Sequence, residues 1–514
     1  MRPDPVRLEI FQHLLASVCE EAGALLQRTA ISPNIRERLD YSCALFDAEA
    51  RLVAQAAHIP VHLGSAGDSV KAVLESLDLV EGDVAILNDP YAGGTHLPDV
   101  TMVRPIFLGS ARPTFYVVNR AHHADVGGAV PGSMGVAADL IAEGIVIPPV
   151  RFRTAQGYVP EVLTLLRANV RAPDERIVDF QAQDASLLLA ERRLRGLTAE
   201  QGLRTTIDYC GQLMDYSEKI VSSVIARIPA GTYKASDVME DDGFGNGPFR
   251  VSLKLGVRSG RLVFDYRGSS PQAVGGINAN RSVVMAASVY VLRCLCPDRL
   301  PTNEGLFRRI QILTEKGTLL DPISPAPVAG GNVETSQRLV DVGLQAVAHI
   351  VPDLIPAGSA GTMTNLTMGS RHFAFYETLP GGAGATRHAA GVSAVQTHMT
   401  NTRNTPIEEM ELQYPLRVRR LTVRRGSGGG GRHRGGDGIV KEIEVLAPAT
   451  VSLFAERHQE APRGLAGGSD GKPGRARLRR GGRVRTMPAK TSLAAETGDI
   501  VTLETPGGGG WGKR

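Results

Sequence analysis

The sequence predicts an α+β protein: a large multi-layer chain with mixed and antiparallel sheets, a helical segment near 173–228 and a glycine-rich, mainly β last third. Three observations carry this. Apolar residues recur at helical spacing near the N-terminus and through 173–228. Elsewhere, short runs alternate apolar and polar residues between glycine turns, the pattern of antiparallel strands with one wet face. The 58 glycines exceed average usage, so many tight turns and close backbone approaches are expected. A chain of 514 residues is long for one core. Its changes of character divide it into an α+β region (1–172), a helical segment (173–228), an α/β region (229–415) and a glycine-rich β region (416–514).

In chain order, Asp4-Pro5 starts a helix, with Asp as cap and Pro at the first helical position. Phe11, Leu14, Leu15, Val18, Ala22, Leu25 and Leu26 keep helical spacing to about Gln27. Residues 42–46 and 51–55 form a hairpin around Asp47-Ala48-Glu49-Ala50. His58 and His62 follow in HIPVHLG, ahead of a helix over 65–77. Residues 83–87, 101–108 and 114–119 read as strands, and EGIVIPPVRF (143–152) as extended chain. Between 173 and 228 the apolar positions Leu187, Leu188, Leu189, Leu194 and Ile207 mark helix, with Arg192, Arg193 and Arg195 on a solvated face. Alternation over 231–237, 249–257 and 261–267 predicts antiparallel strands. Residues 282–295 read as a buried helix that carries Cys294 and Cys296 as core thiols. Residues 301–331 read as extended, and 337–349 as a further helix. GSGGGGRHRGGDG (426–438) lacks the strand-loop-helix context of a phosphate cradle and reads as a turn between strands. RARLRRGGRVR (475–485) reads as a solvated hairpin turning at Gly481-Gly482, without the interleaved aromatics of a nucleic-acid groove.

Composition narrows the classes further. Hydrophobic residues are 42% and charged residues 21%, and the net charge is +4. Nothing there calls for nucleic acid as a partner. No apolar run approaches the roughly 18 residues of a membrane span, and the N-terminus lacks a signal-peptide core. Five scattered cysteines predict free thiols in a reducing compartment, the cytoplasm.

The chemistry concentrates in 88–128, NDPYAGGTHLPDV followed by an apolar run and NRAHHADVGG. If 101–108 and 114–119 pair about a turn near Ala111, facing positions sum to about 222. Asp99 then faces His123, and a one-residue slip exchanges it for His122. Either way His96 and Asp99 meet His122 and His123 at one end of a hairpin. Imidazole and carboxylate ligands in this arrangement suit a divalent Zn, Mn or Fe ion. Gly93-Gly94 lets the backbone approach closely. Asp89 and Asp125 read as catalytic carboxylates that orient a ligating His, or as turn residues. No G-x-x-x-x-G-K-[ST], G-x-S-x-G or H-E-x-x-H occurs, so the sequence supports neither a self-contained phosphate-loop ATPase nor a familiar serine hydrolase or zincin.

Taken together, ERLDYSCALFD (37–47), HIPVHLGS (58–65), NDPYAGGTHLPDV (88–100), NRAHHADVGG (119–128), EGIVIPPV (143–150), GGINAN (275–280), THMTNTRNTPIEEME (397–411), GGDG (435–438) and TPGGGGWG (505–512) resemble the hydantoinase B/oxoprolinase family. The resemblance covers nearly the whole chain. It implies a B-type subunit of an ATP-dependent hydrolase that opens an N-methylhydantoin-like or 5-oxoproline-like cyclic amide. ATP would be used on an A-type partner subunit, in a hetero-oligomer. It also implies a divalent ion held by His96, Asp99 and either His122 or His123. Asn401, Thr402, Arg403 and Asn404 become candidates for binding substrate or phosphate, or else for satisfying backbone groups in a buried loop, and Trp511 an anchor for the C-terminus. The alternatives are an α subunit of an acetone- or acetophenone-type carboxylase, and a non-catalytic assembly subunit.

Overall fold

The computed structural model describes residues 4–56, 59–62 and 64–513. His58 lies outside the described residues. The first helix, Pro5–Thr29, is capped by the Asp4 carboxylate, which accepts from the Val6 backbone N–H at 3.0 Å. It buries Leu8, Phe11, Leu15, Val18, Ala22 and Leu26, the face its spacing predicted. That face packs on the helix Pro173–Gln201 and on the first sheet.

This sheet has strands β1 (Tyr41–Asp47), β2 (Leu52–Gln55), β3 (Val84–Leu87), β4 (Asp99–Ile106), β5 (Phe115–His122), β6 (Val150–Thr154) and β7 (Gly157–Tyr158), in the order β2-β1-β5-β4-β3-β6-β7. Every pairing is antiparallel. Both faces are covered, and alternation divides the side chains between them. Val84, Ile86, Val100, Met102 and Val117 face the helices Pro5–Thr29 and Pro173–Gln201. Ala85, Leu87, Val103 and Val118 face the helix Ala66–Ser76 through Val70 and Val73. Consequently β4 and β5 are buried along their whole length.

The expected helical segment is two helices, Pro173–Gln201 and Leu203–Ile225, broken at Gly202, where φ is +85°. Strands β8 (Gly231–Met239), β9 (Phe249–Arg258) and β10 (Arg261–Asp265) pair antiparallel as expected, and β11 (Ile310–Leu313) joins β10 in parallel. Residues 301–331 are not uniformly extended: Asn303 caps a 3-10 helix, Glu304–Arg309, ahead of β11. The helices Arg281–Leu295 and Ser336–Ala348 pack on this sheet in the largest core. The core-thiol expectation fails. Cys294 is exposed and Cys296 half-buried, because both sit where the helix Arg281–Leu295 ends.

Two further sheets complete the fold. One comprises β12 (Asn365–Gly369), β13 (Ala374–Thr378), β16 (Ala449–Phe454) and β19 (Lys490–Ala495). The other comprises β14 (Leu416–Val423), β15 (Ile439–Val445), β17 (Arg475–Arg480), β18 (Arg483–Met487) and β20 (Ile500–Glu504), with the basic β17–β18 hairpin at its edge. The architecture is α+β. No described helix is long and apolar enough to cross a membrane.

The glycine runs form more than turns. Segments 381–384, 428–436 and 507–510 lie backbone against backbone, bonded by Gly429 N–H to the Gly508 carbonyl, Gly436 N–H to Ala383 and Gly508 N–H to Gly436, at 2.8–2.9 Å. A Cβ on Gly508 would stand 2.0 Å from the Ala383 oxygen, so no side chain fits there. Trp511 closes the end of this bundle by backbone bridges to His433 and Leu465. Gly508→Ala is therefore expected to destabilise the protein by about 3 kcal/mol or more. Gly211→Ala, inside an α-helix with open space around it, should stabilise by up to about 1 kcal/mol. Thermal melts of the two variants check both signs.

Candidate functional site

The loop 88–98 is fixed before its His and Asp side chains are placed. Asn88 Nδ2 donates to the carbonyls of Leu97 (2.8 Å) and Ile145 (3.0 Å), and its Oδ1 accepts from Ile147 N–H. Asn280 Nδ2 lies within 3.1 Å of the carbonyls of Pro90, Gly94 and Thr95. Gly93 has φ +87°, and a Cβ there would lie 2.4 Å from the Asp68 backbone. Buried Arg120 binds the loop from below, donating to the Gly93 carbonyl, Ser69 Oγ, Ser65 Oγ and Thr101 Oγ1.

β4 begins at Asp99 and β5 ends at His122, and these two residues are paired partners. The expected register, Asp99 opposite His123, is off by one. The connection spans 107–114, so its centre falls half a residue before Ala111. Pairing also runs on past Asn119 to His122, so both residues are strand ends rather than loop positions. Because side chains alternate, His123 is carried to the opposite side. There its Nε2 lies 2.9 Å from Gln183 Oε1 and its ring packs on Phe180.

His96, Asp99 and His122 converge, with one ligand atom from each lying within 4.8 Å of the others. All three are buried. Asp99 Oδ2 accepts from Thr95 Oγ1 (2.5 Å) and Asn332 Nδ2 (3.3 Å) and lies 3.4 Å from His62 Nε2. His62 Nδ1 in turn lies 2.9 Å from Ser42 Oγ. His96 Nε2 is 3.2 Å from Asp99 Oδ1, but misaligned for a hydrogen bond. Among the described residues, His96 Nδ1 and Nε2, Asp99 Oδ1, His122 Nε2 and His62 Nε2 are all buried with no hydrogen-bond partner. Burial alone would raise the Asp99 carboxyl, but His96 and His62 hold it well below the usual range. Burial, reinforced by His96, pushes His122 well down, so its imidazole is neutral. A carboxylate beside a neutral imidazole is the form in which these groups bind a cation.

His122 is held by stacking on Tyr376, with ring centroids 4.5 Å apart, and by Asn34 Nδ2, 3.3 Å from its Nδ1. Tyr376 Oη donates to Asn365 Oδ1, and Asn365 Nδ2 donates to Glu334 Oε1. Burial pushes the Glu334 carboxyl up to about 8. Arg38 stacks on the Tyr376 ring at 4.7 Å, and its Nη2 reaches Thr378 and Thr402 hydroxyls. Next to these groups lies a cavity of about 20 Å³, room for a water or an ion. Asp40, His62, Asp99, His122, Asn332, Thr400 and Thr402 supply its polar lining, and Val61, Met363 and Met399 part of its apolar wall.

The remaining expected site residues fall elsewhere. Asp89 Oδ1 accepts from Tyr91 N–H, a turn bond. Asp125 accepts from the N–H groups of Gly127, Gly132 and Arg171 and pairs with the Arg171 guanidinium. Among the described residues neither carboxylate bonds a His, and the contacts of both fit the turn reading. Asn401 and Arg403 are exposed, and Asn404 Nδ2 donates to the Thr378 carbonyl. The extended segment alternates, turning Thr400 and Thr402 inward in their place. Sequence pattern assigns no site role to Arg38, Asp40, His62 or Asn332, whereas Thr402 is one of the candidates of 397–411. The signal for the first three is their place in the blocks 37–47 and 58–65. Asn332 has none, and it reaches Asp99 from a π-helical turn, Gly331–Thr335.

The hydantoinase B/oxoprolinase profile matches residues 4–514. The chain belongs to that family. It is 37% identical to a 5-oxoprolinase of Dictyostelium discoideum over 99% of this chain, and spans 40% of that longer protein. It is 31% identical to a putative B-type subunit of a D-/L-hydantoinase from a Pseudomonas strain, covering 99% of this chain and 90% of that one. Among solved structures, an ATP-dependent caprolactamase from Pseudomonas jessenii superposes with a TM-score of 0.92 at 27% identity, over 100% of this chain and 92% of its own. An acetone carboxylase shares the fold, with a TM-score of 0.91 at 17% identity over 99% of this chain and 76% of its own.

The inward and outward placement in 400–403 has a measurable consequence. Thr402→Val removes a buried hydroxyl that contacts Arg38 and Thr378, and should destabilise by about 1–3 kcal/mol. Arg403→Ala, at an exposed position, should stay within about 0.5 kcal/mol of the parent. Thermal denaturation distinguishes the two.

Proposed function

We propose that this chain is the B-type subunit of an ATP-dependent cyclic amidohydrolase, and that His96, Asp99 and His122 hold a divalent Zn, Mn or Fe ion. The observation that carries the metal assignment is the set of orphaned atoms. Buried polar atoms are nearly always satisfied, yet His96 Nε2, Asp99 Oδ1 and His122 Nε2 have no partner among the described residues, and their three side chains converge. A divalent ion satisfies all three, and the mixed imidazole and carboxylate set suits it. When bound, such an ion supplies Lewis acidity that polarises an oxygen and favours hydroxide at neutral pH.

The chain's own residues set up the rest. The carbonyl of a cyclic amide resists attack because of amide resonance. Phosphorylation of that oxygen by ATP on an A-type partner, with ADP released, leaves this chain to add water to the ring carbon. The C–N bond then breaks as the nitrogen takes a proton, and a second water converts the acyl phosphate left behind to carboxylate and inorganic phosphate. His62, whose Nδ1 lies 2.9 Å from Ser42 Oγ, lines the cavity with Nε2 3.4 Å from Asp99 Oδ2 and helps hold that carboxyl ionised. Val61, Met363 and Met399 exclude bulk water from the same space. The cavity is smaller than a lactam ring, so ring admission requires its walls to part.

The names of the relatives support the reading: a 5-oxoprolinase, a hydantoinase and an ATP-dependent caprolactamase all point to cyclic amides. The hydantoinase relative is named as one subunit of its enzyme, which supports a partner chain. The carboxylase alternative has the shared fold in its favour and no observation at the site. The buried His/Asp set counts against a purely structural role.

Two experiments test the reading. Elemental analysis of the purified chain should find a divalent metal that Asp99→Ala and His122→Ala lose and His123→Ala keeps. Unchanged metal in the first two variants would sink the ligand assignment. Co-expressed with an A-type partner, the chain should open a 5-oxoproline or hydantoin ring only when ATP is present. Ring opening by the isolated chain without ATP, or bicarbonate-dependent carboxylation instead, would overturn the proposed reaction.

A further inference from the structure

We propose that Glu334 is a positioning residue for the metal site, fixing the His122 imidazole through Asn365 and Tyr376, so that the π-helical turn Gly331–Thr335 holds one carboxylate and one imidazole ligand together. This rests on the ligand assignment proposed above and extends it to a carboxyl that does not itself line the cavity.

The contacts run outward from His122. Stacking on Tyr376 sets the plane of the His122 ring, with centroids 4.5 Å apart and planes 10° from parallel. Tyr376 on β13 and Asn365 on β12 are diagonal neighbours on one face of their sheet. Tyr376 Oη donates to Asn365 Oδ1 at 3.0 Å. Asn365 Nδ2 gives its hydrogens to Glu334 Oε1 at 2.7 Å and to the Phe454 carbonyl at 2.8 Å. Two acceptors on the nitrogen side fix the amide with its oxygen toward Tyr376. Without the Glu334 acceptor, that orientation loses one of its two anchors. A turned amide would put N–H groups where the tyrosine hydroxyl now finds an acceptor.

Burying a carboxyl costs stability unless its oxygens are matched. Glu334 is fully buried, and its Oε2 has no partner among the described residues. Its Oε1 accepts from Asn365 and from the Met363 N–H at 3.0 Å. Both recipients lead to the site, Asn365 by way of Tyr376 and Met363 as part of the cavity wall.

The turn that carries Glu334 also reaches the carboxylate ligand. Asn332 Nδ2 donates to Asp99 Oδ2 at 3.3 Å, and Val333 between the two residues lines the cavity. The turn is clamped in place. Gly331 N–H donates to the Gly276 carbonyl and Thr335 Oγ1 to the Ile277 carbonyl, and a Cβ on Gly331 would lie 1.7 Å from the Asn278 oxygen. Single π-helical turns are rare and concentrate at functional sites. Here one such turn sets Asp99 directly and His122 at a distance.

The test is cobalt binding by the full chain, prepared metal-free and titrated against a competing chelator, with visible Co(II) absorption reporting coordination geometry. Glu334→Leu and Asn365→Leu should each weaken affinity by about tenfold or more and alter the absorption. Glu334→Gln, which keeps the acceptor and the shape, should bind within about threefold of the parent. Tyr376→Phe keeps the stack, loses the hydroxyl and should shift affinity in the same direction as Glu334→Leu. Leu478→Ala, in the core beneath β17, should lower the melting temperature and leave affinity unchanged. Parental affinity and absorption in Glu334→Leu overturn the proposal, as they do in Tyr376→Phe where the first variant does not fold. So does a loss in Glu334→Gln or Leu478→Ala as large as in Glu334→Leu. If the parent binds no cobalt, the ligand assignment fails instead, and crystal structures decide the positioning. The His122–Tyr376 stack should be lost in Glu334→Leu and Asn365→Leu, and its persistence in either overturns the proposal.

Discussion

The antiparallel pairing of β4 with β5 is the constraint on which the site depends. It sets Asp99 directly across from His122 and does so under both faces of a covered sheet. Bulk water cannot reach these groups there, so every polar atom must find a protein partner, an enclosed water or a ligand. Arg120, Asn88 and Asn280 meet that demand for the loop backbone. The three convergent atoms of His96, Asp99 and His122 are left over.

Rigid packing turns this local pairing into a positioned site. Helix Pro173–Gln201 supplies Phe180 and Gln183, which occupy His123 on one face. Tyr376, on β13 of another sheet, stacks on His122 and is itself held through Asn365 and Glu334. The site therefore stands at the junction of separate cores. Its side chains are oriented by groups that lie far away in sequence, which is how a buried constellation is kept in one geometry.

The glycine bundle plays a corresponding role at the other end of the molecule. Its runs pack so closely that a Cβ at several positions would overlap a neighbouring carbonyl. Glycine abundance here reflects backbone-to-backbone contact rather than loop flexibility.

Much of the fold was legible from local pattern. Apolar spacing located the helices Pro5–Thr29 and Arg281–Leu295, alternation located β8 to β10, and Gly481-Gly482 marked the β17–β18 turn. The cluster of His and Asp residues over 88–128 was visible because its members lie close in sequence on two flanks of one hairpin. Tertiary structure alone decided that His122 rather than His123 faces Asp99, since a half-residue shift in turn centre exchanges alternating side chains. It alone brought in Asn332 and His62, whose contacts with the site depend on long-range packing that spacing in the sequence does not encode. It also reassigned Asp89 and Asp125, because a carboxylate in a glycine-rich loop is claimed by whichever backbone N–H groups the fold brings to it.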